Sequence, residues 1–178
     1  IKQTYRNRCT IAGPDGELAL SIPTVKPDTL KCPMKDIRIS DHGNWRHLHW
    51  NAIESAYNNT PFFEYYKDDF RPFYEKKYEF LIDFNEEICR LVCQLIDIQP
   101  NIERTSAYKM EFSAEETDFR ESIHPKKDFR TTDPEFSPQP YYQVFESKLG
   151  FLPNLSIIDL LFKMGPESLL VLKKPTRL

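Results

Sequence analysis

Between Asn44 and Tyr66 the chain reads NWRHLHWNAIESAYNNTPFFEYY, and no other stretch restricts the fold as much. Stepping from Trp45 by i, i+3, i+4, i+7 and i+8 gathers Trp45, Leu48, His49, Ala52, Ile53, Ala56 and Tyr57 on one helical face. His49 is the only strongly polar member. Asn58-Asn59-Thr60-Pro61 stops this helix, and Thr60 is placed to cap a second one with Pro61 at its first position. Phe62, Phe63, Tyr65 and Tyr66 follow, and the second helix should end near Arg71-Pro72. An imidazole in an apolar stripe needs a hydrogen-bond partner, because burying it alone is costly. His49 is therefore the first site candidate.

Before this stretch the pattern is β. Ile1 to Ile11 alternates, with Lys2, Thr4, Arg6 and Arg8 on one side and Gln3, Tyr5, Asn7, Cys9 and Ile11 on the other. Gly13-Pro14-Asp15-Gly16 is a turn, and Glu17 to Val25 returns with Leu18, Leu20 and Ile22 on one face. Asp36 to Ser40 alternates Ile37 and Ile39 with charges and predicts a short third strand. Asp41 to Asn44 is a turn that supplies a cap for the Trp45 helix.

Beyond it, Phe73 to Tyr78 reads as a charged connector. Phe80 to Ile98 is the longest expected helix, with Leu81, Phe84, Ile88, Leu91, Val92 and Leu95 as its stripe and Asn85 on the same face. Thr105 to Phe112 predicts another strand. Residues 113–140 lose periodicity and form a long excursion, and Tyr141 to Phe145 should dock on the core. A buried helix then starts at Ser156, with Asp159 three residues on in a capping-box-like arrangement, and stops at Gly165-Pro166. The reading is α+β: a small, mostly antiparallel sheet with at least four helices, in one domain over residues 1–178. The chain opens at Ile1 inside an apparent strand, so upstream sequence is expected. A strand-helix-strand unit there would make the whole α/β.

Composition excludes some functions. Hydrophobic residues are 40% and charged residues 29% of the 178, which is the balance of a globular chain. A net charge of -3 gives no pull toward nucleic acid or anionic membrane. No run of 18 apolar residues provides a membrane span. Cys9, Cys32, Cys89 and Cys93 contain no C-x-x-C pair and suit buried thiols in a reducing, cytoplasmic setting. Five glycines leave few phosphate-cradling loops, and there is no P-loop, G-x-G-x-x-G or nucleophile elbow.

The chemistry-bearing candidates each admit a structural reading. Lys2, Arg6 and Arg8 on one strand face would bind phosphate or carboxylate oxygens, or else form a solvated outer face. Asn7, pointing the other way, suits a core hydrogen bond. His49 suits a general base or a structural histidine bonded to a carbonyl or tyrosine. His47 and His49 face apart on a helix, and with His42 they make a poor metal site. Asn85 is the counterpart of His49 on another helix.

Together these segments resemble the WbqC-like protein family. The resemblance runs through Lys2-Gln-Thr-Tyr-Arg-Asn7-Arg8, Leu20 to Pro23, Lys35 to Ile39, Asn44-Trp45-Arg46 with His49, Ile53 to Tyr57, Pro61 to Phe63 and Leu81 to Asn85. It closes with Gly150 to Phe162, where PNLSIIDLLF is the most specific piece, and with Gly165-Pro-Glu167. Residues 100 to 140 lie outside it. Members usually begin with a segment like His-Gln-Pro-Asn-Tyr-Leu-Pro, which this chain lacks. The family is associated with O-antigen and other surface polysaccharide gene clusters. The resemblance implies a cytoplasmic enzyme or accessory protein acting on sugar precursors, with Lys2, Asn7, Arg8, Trp45, Arg46, His49 and Tyr57 as site candidates.

Two functions follow. In the first, a transferase adds an acyl or aminoacyl group to a nucleotide-linked amino sugar. Lys2, Arg8 and Arg46 hold the anionic part and His49 deprotonates the attacking amine, with no metal or cofactor required. In the second, the chain is a non-catalytic binding or assembly subunit whose aromatics, 13% of residues, dock a partner protein.

Overall fold

The computed structural model describes residues 4–28, 32–132, 134 and 136–173. The architecture is α+β. Its sheet is one antiparallel hairpin, β1 (Arg8–Gly13) and β2 (Gly16–Ser21), paired in register from Arg8↔Ser21 to Gly13↔Gly16 around the expected turn. The helices are α1 (Trp45–Tyr57), α2 (Phe63–Phe70), α3 (Pro72–Glu75), α4 (Leu81–Leu95), α5 (Phe129–Thr132), α6 (Glu146–Leu149), α7 (Ile157–Met164) and α8 (Ser168–Leu172).

The N-terminal strand is shorter than its alternation suggests. Thr4 to Asn7 is a turn: Asn7 N–H donates to Thr4 O (3.1 Å) and Asn7 Oδ1 accepts from Thr4 N–H (3.2 Å). An asparagine that satisfies its own turn competes with the ladder and wins here. Arg6 is therefore on a turn and Arg8 begins the strand, so the expected comb on a single strand face does not form. Lys2 lies outside the described residues.

The third strand is reduced to isolated bridges, Thr24↔Ile39 and Arg38↔Phe80, preceded by a 3-10 turn at Met34–Asp36. Ile37 and Ile39 are nevertheless buried, as their alternation requires. Pro23 lacks the N–H that would continue the ladder, so the segment makes only a short bridge to each neighbour: Val25 N to Arg38 O and Ser40 N to Pro23 O on one side, Ile39 N to Glu79 O and Leu81 N to Ile37 O on the other, all 2.9 Å. Thr105 to Phe112 has no strand partner among the described residues and is irregular.

Helix α1 buries Trp45, His49, Trp50, Ile53 and Tyr57. The buried arc is rotated from the sequence stripe: Leu48 is 60% exposed, and Trp50 takes its place against Phe63 and Tyr74. Three expected side-chain caps do not form. Asn44 sits in the left-handed region (φ 49°) without a side-chain cap. Thr60 Oγ1 donates to Tyr57 O (2.7 Å), closing α1 rather than opening α2. Ser156 makes no side-chain cap on α7, because Asp159 turns inward.

Helix α7 closes the core. Ser156 N–H donates to Thr10 O on β1 (2.7 Å), and Phe62 N–H donates to Phe162 O (3.1 Å). The Phe162 ring meets Tyr57, Phe63 and Phe70 edge-on, with centroids 5.1, 5.1 and 5.3 Å away. A second cluster, with Ile22, Ile37, Trp45, Phe73, Leu81 and Phe84, is shared with the first through Tyr74, Ile88 and Leu91.

Phe162→Ala should cost about 3–5 kcal/mol in urea unfolding, since it leaves a cavity under three rings. Leu48→Ala, by contrast, should change stability by less than about 0.5 kcal/mol.

Candidate functional site

The sequence candidates divide into two groups. Asn7, Arg8, Trp45, Arg46 and His49 gather where the open end of the hairpin meets the first turns of α1. Asn7 Nδ2 donates to Ile22 O (3.1 Å) and Ile22 N–H donates to Asn7 O (2.8 Å). Arg8 is paired in register with Ser21, and His49 has the Ser21 backbone as its hydrogen-bond partner. The chain around Asn7 is tied to α4 by Asn85, whose Nδ2 donates to Arg6 O (2.8 Å). Asn7 and Asn85 thus hold backbone in place.

Trp45 is the floor of this group. Its Nε1–H donates to Ser40 O (3.0 Å), and the His49 ring lies edge-on to it with centroids 5.2 Å apart. The Arg46 guanidinium carbon stands 4.7 Å from the Trp45 ring centre. Arg46 Nη1 donates to Asp41 (2.6 Å), which also accepts from Lys77 (3.0 Å), and these bonds hold the Asp41 carboxyl below its usual pKa. Arg46 Nε and Nη2 are enclosed yet have no hydrogen-bond partner, and the side chain as a whole is 14% exposed. Enclosed charged donors without a protein acceptor are rare in folded proteins, which singles out Arg46 among the candidates as a group able to bind an oxygen ligand.

His49 is 9% exposed, and burial lowers its pKa from 6.5 to about 4, opposed by the bond to Ser21. The ring is neutral at neutral pH.

Tyr57 belongs elsewhere. It lies eight residues beyond His49, roughly 12 Å along α1. Its hydroxyl donates to Asp159 Oδ1 (2.8 Å), which also accepts from Lys163 Nζ (2.7 Å), while Tyr141 donates to Oδ2 (2.7 Å). Asp159 and Lys163 side chains are 0% and 1% exposed. Burial lowers the Lys163 pKa against the pull of Asp159, and burial followed by the Asp159 charge raises those of Tyr57 and Tyr141. Sequence reasoning took Asp159 for a cap and passed over Lys163. The available signal was two opposite charges at i, i+4 inside an otherwise apolar helix.

Two surface concavities lie apart from these candidates. A charged groove of about 320 Å³ is lined by Lys76, Lys77, Tyr78, Glu79, Asp83, Glu86, Glu87 and Arg90. An aromatic cleft of about 100 Å³ is lined by Tyr5, Ser122, Ile123, His124, Phe129, Phe136 and Asn154. Among the described residues no three His, Cys, Asp or Glu side chains are grouped to hold a metal ion.

Compared with known proteins, residues 1–127 match the model of the WbqC-like protein family. The match extends through residues 100–127, which the resemblance in sequence left out, and ends before the Gly150 to Phe162 block. No curated protein matches. No solved structure matches.

Two measurements test these arrangements. Folded His49 takes its proton near pH 4, the unfolded chain near 6.5, so its contribution is complete above pH 6.5 and is lost as pH falls toward 4. Relative to His49→Leu, the wild type should lose roughly 3 kcal/mol of unfolding free energy between pH 7 and pH 4. Asp159→Leu should cost about 3–5 kcal/mol by stranding the Lys163 ammonium, and adding Lys163→Met should recover much of that loss in urea melts.

Proposed function

The chain belongs to the WbqC-like protein family, and we propose that it is a cytoplasmic transferase that adds an acyl or aminoacyl group to a nucleotide-linked amino sugar in O-antigen or other surface polysaccharide synthesis. The observation that supports this reading best is Arg46. Its Nε and Nη2 form the edge of the guanidinium fork that matches two oxygens of a phosphate or carboxylate, and both are enclosed without an acceptor. Arg8 is the register partner of Ser21, the residue whose backbone bonds His49. An anionic diphosphate that displaces the Arg46 side chain from its enclosed position gives both nitrogens an acceptor. Its negative charge also raises the basicity of His49, which is neutral beforehand and able to take the proton of an attacking amine.

The four cysteines are free, as in a reducing compartment. No helix among the described residues is long and apolar enough to cross a membrane. The low exposure of His49 favours a narrower form of the non-catalytic reading, a binding subunit that holds the same sugar nucleotide without transforming it.

A thermal-shift titration with nucleotide-diphosphate amino sugars, followed by acyl-transfer assays with coenzyme A thioesters and ATP-activated amino acids, separates the two. A ligand at a hundred times its Kd raises stability by about 2.7 kcal/mol. Arg46→Ala should weaken binding by about 2 kcal/mol or more, roughly thirtyfold in Kd. His49→Gln should keep binding and lower turnover by about 10²–10⁴. Binding that depends on Arg46, without turnover by the wild type, would assign the binding subunit. Absence of binding by every nucleotide sugar would remove both.

A further inference from the structure

The excursion after α4 folds back to the N-terminal turn and encloses a small aromatic cleft that the reading above does not use. From the excursion come Ser122, Ile123, His124, Phe129 and Phe136; from the body come Tyr5 and Asn154. We propose that this cleft is a pyrimidine-base subsite, holding the nucleobase of the sugar nucleotide; the inference rests on the proposed function and specifies its carrier.

Three observations carry it. The first is the lining. Phe129 and Phe136 meet edge-on at 5.4 Å and, with Tyr5, offer aromatic surface to a flat ring. Aromatic side chains hold bases through their π-faces. The second is size. A cavity of roughly 150 Å³ takes one benzene ring. A cleft of about 100 Å³ is smaller than that, so a six-membered ring sits in it with one edge in solvent, and a fused purine protrudes further.

The third is polarity. Lys126 N–H donates to His124 Nδ1 (3.1 Å), so a neutral His124 carries its proton on Nε2 and presents a donor. Asn154 donates through Nδ2 to the Tyr5 hydroxyl (3.3 Å), which leaves its Oδ1 as an acceptor. The Ser122 hydroxyl is shielded and has no hydrogen-bond partner. Donors for the ring carbonyls and an acceptor for the ring N–H are the set by which a pyrimidine edge is read. The cleft also lies beside positive charge in the chain, because Arg6 is the residue after Tyr5 and Arg8 is three beyond it. A base seated at Tyr5 thus has its phosphates close to the cationic turn.

Equilibrium binding of UMP, AMP and UDP to the full chain tests this. UMP should bind at least tenfold more tightly than AMP. Phe136→Ala should weaken UMP about tenfold, in line with loss of one stacking surface, and His124→Ala should reduce the preference over AMP. Phe136 is 39% exposed, so its removal should leave the fold intact, as far-UV circular dichroism will check. Equal affinity for UMP and AMP overturns the subsite. So does UMP binding that neither Phe136→Ala nor His124→Ala alters. Arg46-dependent binding of nucleotide sugars, with no effect of Phe136→Ala, overturns the subsite alone and leaves the proposed function standing.

Discussion

Asp159 is a carboxylate with no contact to water, and the placement of much of the chain follows from how its charge is met. Tyr57 approaches from α1, Tyr141 from the segment that returns after the excursion, and Lys163 from the next turn of α7. Removing two charges from water costs several kcal/mol each, and only close pairing with full hydrogen bonding offsets that. The arrangement therefore has one satisfactory geometry. It fixes the rotation of α7 about its axis, which in turn delivers Phe162 to Tyr57, Phe63 and Phe70 and leaves Ser156 against Thr10.

The polar clusters around Asp159 and Arg46 differ in kind. Around Asp159 every oxygen has its donor, and nothing is left over for a ligand. Around Arg46 the accounts do not close: one nitrogen is paired with Asp41, and two are enclosed and unmet. A fully satisfied buried network specifies packing, whereas an incomplete one at the meeting point of three segments suits recognition. This contrast, more than residue type, separates Tyr57 from Arg46 among the sequence candidates.

Elements with strong period and clear stops were legible in the sequence: the Gly13–Gly16 turn, α1, α2, α4 and the buried α7. What was not legible depended on partners distant in the chain. Caps at Asn44, Thr60 and Ser156 follow from local spacing, and each yielded to tertiary packing or to a bond the spacing could not reveal. The α1 face turned from Leu48 to Trp50 because Phe63 and Tyr74 stand where a large ring is needed. His49 was correctly read as needing a partner. That the partner is Ser21, opposite Arg8, follows from hairpin register, which alternation alone set one turn too early. Lys163 was overlooked because an i, i+4 ion pair usually marks a surface, and here it marks the interior.

The hydroxyl of Tyr57 and the carboxylate of Asp159 are 102 residues apart in the chain. The portion matched by the family model ends at residue 127, before α7 has been reached. During synthesis from the N-terminus, Tyr57, Phe63 and Phe70 must wait for Phe162 with their shared face uncovered. At ribosomal speeds of about 5–20 residues per second that interval lasts several seconds. The nascent chain thus carries an aromatic surface long enough to meet chaperones or a neighbouring copy, and α7 acts as the stopper that ends the exposure.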